Sequence, residues 1–214
     1  MKNIFFLLLI ITLFCCNEQF HLKEGDLLFQ DLDSSPLCDA IEVVTPGYKG
    51  SNFSHIGIAV LDKDTLKVLE AIPPIVQLTT LKDFLNKSSD KDGNPKVIVG
   101  RLKDEYSHSI KDGINFLFSK IGAKYDNVFI MNNDSYYCSE LIYEAFQNDS
   151  IFELKPMTFI NPETNETIDV WKNYYTDLEV KIPQNKLGIN PGLMSLSEKI
   201  DIIHFYGIPS GMKK

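Results

Sequence analysis

The sequence predicts an α+β fold in which an antiparallel sheet packs against helices, and three observations carry that prediction. Over the first half of the chain, short β-branched and apolar runs are bounded by Gly, Pro or polar clusters, the pattern of strands and turns. From Ser109 the spacing changes, with Ile110, Ile114, Leu117 and Ile121 recurring at helical intervals. A last strand pattern, "KIDIIHFYG", closes the chain. Strands, then helices, then one more strand point to α+β rather than to alternating βαβ units.

The elements follow in order. "LKEGDLLFQDLD" gives a short strand from Asp26 to Phe29, entered by a turn at Gly25. "NFSHIGIAVLDKDTLKVLEAI" reads as a hairpin: a strand from Ser54 to Leu61, the polar turn "DKDT", and a strand from Leu66 to Ile72. The Pro73-Pro74 pair ends that strand, a short helix lies near Thr80 to Asn86, and a polar loop leads to the strand "KVIVGRL". A helix then runs from Ser109, which with Asp112 resembles a capping box, to about Gly122. Another begins near Cys138, with Leu141, Ile142, Ala145 and Phe146 on its apolar face and Glu140, Glu144 and Gln147 toward solvent. The stretches Asp31–Ser51 and Gln147–Lys172 read as loops.

Composition bounds the function. A chain of 214 residues, 44% hydrophobic and 23% charged, can bury one good core, so residues 24–214 read as a single domain. A net charge of −8 with no basic stripe argues against a nucleic-acid partner, because phosphate binding needs clustered Lys and Arg. The first residues, "MKNIFFLLLIITLFCCNEQF", combine Lys2 with an apolar run from Ile4 to Phe14. That run is too short to span a bilayer, which needs about 20 residues, and reads as an export signal. Cysteine at its end, in Leu13-Phe14-Cys15-Cys16, resembles a bacterial lipoprotein signal (residues 1–16) with Cys16 as the lipidated residue. The expectation is a lipid-anchored envelope protein; an ordinary cleaved secretory signal is the competing one.

Two internal cysteines remain, Cys38 and Cys138. A single bridge between them is arithmetically possible in an oxidising compartment. The surroundings of Cys138 suggest another use. In "DSYYCSELIYEAF" it opens a helix, where unpaired backbone N–H groups and the helix dipole favour a thiolate and can stabilise an oxyanion. Such a nucleophile needs a histidine, itself oriented by a third polar group. Of four histidines, His21 borders the export segment, His108 precedes a helix, and His204 sits inside a strand. His55 instead begins a strand after a polar loop, so its side chain can emerge beside a cleft. Across the hairpin, Glu70 is an isolated acid in the apolar run "VLEAI", and a carboxylate near a core needs a partner.

Taken in order, "GDLLF", "SHIGIAV", "VLEA", "GAKYDNVF" and "YYCSELIYEAF" resemble the circularly permuted branch of the NlpC-type, papain-like cysteine hydrolases, the YiiX/YebB-like proteins. The resemblance covers roughly Glu24 to Phe146. In this branch the histidine strand precedes the cysteine helix, the order found here as His55, Glu70, Cys138. The resemblance implies a permuted papain-like fold, with Cys138 as nucleophile, His55 as general base, Glu70 as the group orienting His55, and Tyr125 lining the substrate cleft. It also implies acyl transfer to water from an amide or ester, in a cell-wall peptide or a lipid-linked amide. An acyltransferase on lipid or amine substrates, and a binding lipoprotein without turnover, are the other readings. No cofactor is expected. No metal is expected either, since the sequence has no CxxC or HExxH, and "DKDT" and "DKDG" lack downstream ligands.

Overall fold

The computed structural model describes residues 20–213. The export segment and Cys16 lie outside them. In chain order the elements are β1 (Leu27–Gln30), α1 (Pro36–Val44), β2 (His55–Asp62), β3 (Thr65–Ile72), β4 (Ile75–Thr80), α2 (Leu81–Leu85) and β5 (Val97–Leu102). Then come α3 (Ser109–Ser119), α4 (Cys138–Ala145), β6 (Lys155–Pro156), α5 (Asp169–Asp177), β7 (Leu187–Gly188), α6 (Pro191–Met194) and β8 (Ile200–Phe205). Six strands form one antiparallel sheet in the order β4-β3-β2-β1-β5-β8, and β6 pairs with β7 separately.

Burial on both faces fixes the register of this sheet, because a slip of one residue would exchange its two apolar sets. Leu27, Phe29, Ile56, Ile58 and Leu69 pack into the main core with Leu141 and Ile142 of α4. The alternate residues Leu28, Ala59, Val68 and Val97 meet Phe84 in a smaller second core. Phe84 is fully buried, and burial of such a side chain contributes about 1.5–3 kcal/mol. That is how α2, only five residues long, stays in place.

Three stretches depart from the sequence reading. The Pro73-Pro74 pair makes a turn, after which "IVQLTT" continues as β4, so the hairpin is a three-stranded meander. The alternation in that segment outweighs the proline stop. The stretch Asp31–Ser51 contains α1, whose signals are Ser35 at the N-cap position and Pro36 in the first turn. The stretch Gln147–Lys172 contains the start of α5, on which Trp171 and Tyr175 share the buried face.

Two helix details also change. Ser109 is the first residue of α3 rather than its cap, and its hydroxyl donates to Asp149. That helix ends at Ser119, before Gly122, whose φ of +86° is the left-handed conformation that glycine adopts without strain. Glu140 is fully buried rather than solvated, and Glu144 is half-buried; Gln147 is exposed as expected.

Candidate active site

Cys138 occupies the first position of α4, behind an N-cap residue, Tyr137, in extended conformation. The first intrahelical bond runs from Leu141 N to Tyr137 O, so the N–H groups of Cys138 and Ser139 precede the hydrogen-bonded turns. Glu140 explains why the helix starts here. Its carboxylate reaches back to accept from the backbone N–H of Tyr137 at 3.4 Å and of Asn132 at 3.2 Å, which ties the preceding loop to the helix. Burial, with the charge of Asp126 added, raises Glu140 to about 8. Asp126 is itself buried and accepts from Val128 N and Ile130 N, folding the segment after Tyr125 into a tight loop. From α5, Tyr174 and Tyr175 donate to the carbonyls of Asn127 and Val128 and hold that loop from outside.

His55 is the first residue of β2 and is 4% exposed. Its Nε2 lies 2.5 Å from Oε2 of Glu70 on β3. Ile58 pairs with Leu69, and continuing that register one residue sets Gly57 opposite Glu70. His55 and Glu70 therefore share a face of the sheet. A Cβ at Gly57 would lie 2.4 Å from Val68 Cγ1 and 3.0 Å from Phe84 Cε2, so only glycine fits between them. The Phe84 ring packs against His55 at 5.8 Å between centroids.

Glu70 is fully buried and not on a solvated outer face. Besides His55, it accepts from Thr79 Oγ1 at 2.5 Å and from Lys87 Nζ at 2.6 Å on both oxygens. Burial alone would push its carboxyl up; hydrogen bonding and charge from His55 and Lys87 outweigh that and hold it down at about 2. For His55 burial favours the neutral ring. Hydrogen bonds to Cys138 and Glu70, with their charges, reverse the balance and raise it to about 9. With Nε2 taken by Glu70, Nδ1 is the nitrogen left for the thiol. At neutral pH the pair is thus an imidazolium held by a carboxylate, with the cysteine against it.

Tyr125 stands beside this line. Its backbone N–H donates to Pro74 O, its ring meets Phe129 edge-on, and burial together with nearby Cys138 keeps its phenol protonated. Tyr125, Cys138 and Ser54 open onto a cleft of about 260 Å³. Its wall is largely apolar, with Ile41 and Val44 from α1, Phe129, Phe159, Trp171 and Leu193; Lys155 is the charged residue in its lining. Cys38 and Cys138 are free thiols, and Cys38 is buried against the hydroxyls of Ser34 and Ser35.

All four internal residues singled out in the sequence, Cys138, His55, Glu70 and Tyr125, converge. Sequence reasoning missed Thr79, Phe84 and Lys87, the groups that hold Glu70 and His55. Strand alternation in "IVQLTT" could have placed Thr79 on the Glu70 face; Lys87, in the polar run "LNKSSD", gives no such signal.

The model of one protein family, described as permuted papain-like amidase enzymes, YaeF/YiiX, C92 family, matches residues 21–203. The chain belongs to this family. A curated relative, the uncharacterized protein YiiX of Escherichia coli strain K12, is 28% identical over 126 residues, covering 59% of this chain and 58% of its own length. The chain's fold is similar to that of a protein described as metalloprotein yiiX from Escherichia coli O157:H7, with a TM-score of 0.73 and 22% identity over 89% of this chain and all of that one. Among the described residues here, no three His, Cys, Asp or Glu side chains are grouped so as to hold a metal ion. The permuted papain-like fold that the resemblance implied is the fold of the family.

Proposed function

We propose that the protein is a cysteine hydrolase that cleaves amides or esters whose acyl part is apolar, with Cys138 as nucleophile, His55 as acid and base, Glu70 as orienting group and Tyr125 as part of the cleft wall. The observation that carries this reading is the buried line Cys138–His55–Glu70 at the side of an apolar cleft. The Cys138 thiolate attacks the carbonyl carbon, and the oxyanion is met by the free N–H groups at the start of α4. The His55 imidazolium then gives its proton to the departing amine or alcohol, leaving a thioester on Cys138. Neutral His55 next takes a proton from water, whose oxygen attacks the thioester; the acid leaves and the thiolate is restored. Throughout, Glu70 keeps the ring in the tautomer that presents Nδ1 to sulfur.

A cleft with aromatic and aliphatic walls binds an alkyl chain better than a polar cell-wall peptide, since each buried methylene contributes about 0.8 kcal/mol. On a series of N-acyl amides carrying a fluorogenic amine, kcat/KM should therefore rise by roughly threefold to fourfold per added methylene until the cleft is filled. A flat response to chain length, with good turnover of short peptides, would overturn the acyl preference. Preferred transfer of the acyl group to added hydroxylamine over water would reassign the last step to an acyltransferase.

The location belongs to the same proposal. The apolar run from Ile4 to Phe14 and the cysteine at position 16 support a mature protein that begins at Cys16, carries acyl chains and sits on an envelope membrane. Cells fed a clickable palmitate analogue should label the wild type and not Cys16→Ala; equal labelling of both would sink the anchor.

A further inference from the structure

The site holds a cation that the steps above do not use. Lys87 follows α2, and its Nζ lies 2.6 Å from each oxygen of Glu70. Nζ also sits 4.9 Å from the centroid of Phe84, the ring packed against His55. The imidazole and the ammonium thus share one carboxylate oxygen, Oε2. A bare carboxylate at this place would have two opposed effects. It would stabilise the imidazolium, and it would set a second negative charge near the thiolate and the developing oxyanion. A cation bound to the same carboxylate offsets the net charge and leaves in place the oxygen that orients the ring.

We infer that Lys87 is a positioning residue that turns Glu70 into a nearly neutral orienting group for His55 and so sets how firmly the imidazolium holds its proton. The inference rests on the reading of Cys138, His55 and Glu70 as the reacting set. The groups around the pair come from each packed element. Cys138 of α4 and Glu70 of β3 face His55; His55 of β2, Thr79 of β4 and Lys87 face Glu70. The acid of α2, Asp83, is turned to Thr80 instead.

The probe is alkylation of Cys138 by iodoacetate across pH. The rate rises as the thiolate forms and falls again as the neighbouring imidazolium, which attracts the anionic reagent, loses its proton, so the alkaline limb reads His55. Removing Lys87 alone would leave a buried carboxylate without its cation and endanger folding. The decisive comparison is therefore Glu70→Gln against Lys87→Met/Glu70→Gln, neither of which contains that carboxylate. With the ammonium still near the ring, the limb of Glu70→Gln should lie on the order of one pH unit below that of the double variant. Lys87→Arg should keep the wild-type limb. Superimposed limbs in the two Glu70→Gln backgrounds would overturn the inference, since a lysine that merely braces the chain changes melting temperature and not this limb. The failure of the wider reading looks different: wild-type Cys138 would then react no faster at neutral pH than free cysteine.

Discussion

Cys138→Ala should lower kcat/KM on any substrate the protein cleaves by roughly 10⁴-fold or more, and Cys138→Ser by nearly as much. A hydroxyl beside the same base is a far weaker nucleophile than a thiolate, so serine does not rescue. His55→Ala should cost about 10³–10⁴-fold, because it removes both the proton acceptor and the proton donor of the cycle. Glu70→Gln should cost less, roughly 10–100-fold. The amide can still accept from the imidazole ring, though it loses the charge that favours the imidazolium and leaves Lys87 without its counter-ion. The ordering is the testable content, read from steady-state rates on one acyl substrate. Wild-type turnover in Cys138→Ala would return this cysteine to the role of a buried hydrophobe.

The second large effect is on stability, and its direction follows from the same ion pair. His55 is raised to about 9 in the fold from an unfolded value of 6.5, so its contribution is complete below pH 6.5 and is lost as pH rises through 9. Glu70 is lowered to about 2 from 4.5, so its contribution is complete above pH 4.5 and is lost as pH falls toward 2. Both are in place only between about pH 4.5 and 6.5. Urea unfolding should show a plateau there and a loss on the order of 2–3 kcal/mol by pH 9. In His55→Gln the alkaline decline should be much shallower. An identical slope in the two proteins between pH 6.5 and 9 would mean that the imidazolium is not held in the native state.

Much of this site was legible in the chain. His55 stands at the start of a strand, Glu70 is an acid set in an apolar run, and Cys138 opens a helix; each is a local anomaly with a chemical meaning. The hairpin that pairs the first two could be read from its turn and its alternation. Helices α1 and α5 lie in stretches that read as loops, although α1 carries a start signal in Ser35 and Pro36. Yet they supply Ile41, Val44 and Trp171 to the cleft, and α5 fastens the Tyr125 loop.

By itself, the sequence determined the α+β class and the order of histidine, acid and cysteine along the chain, since these depend on residue type and local period. The tertiary structure alone decided which charges meet. Lys87 reaches Glu70 across the fold of a meander whose third strand the Pro pair concealed, and Glu140 turns inward to hold backbone N–H groups that it could equally have left to solvent. Side chains with long, flexible stems carry no periodic signal, and their partners are fixed only when packing closes off the alternatives. For the same reason the apolar cleft is a property of walls gathered from α1, α5, α6 and the loop after Tyr125, which meet only in the folded chain.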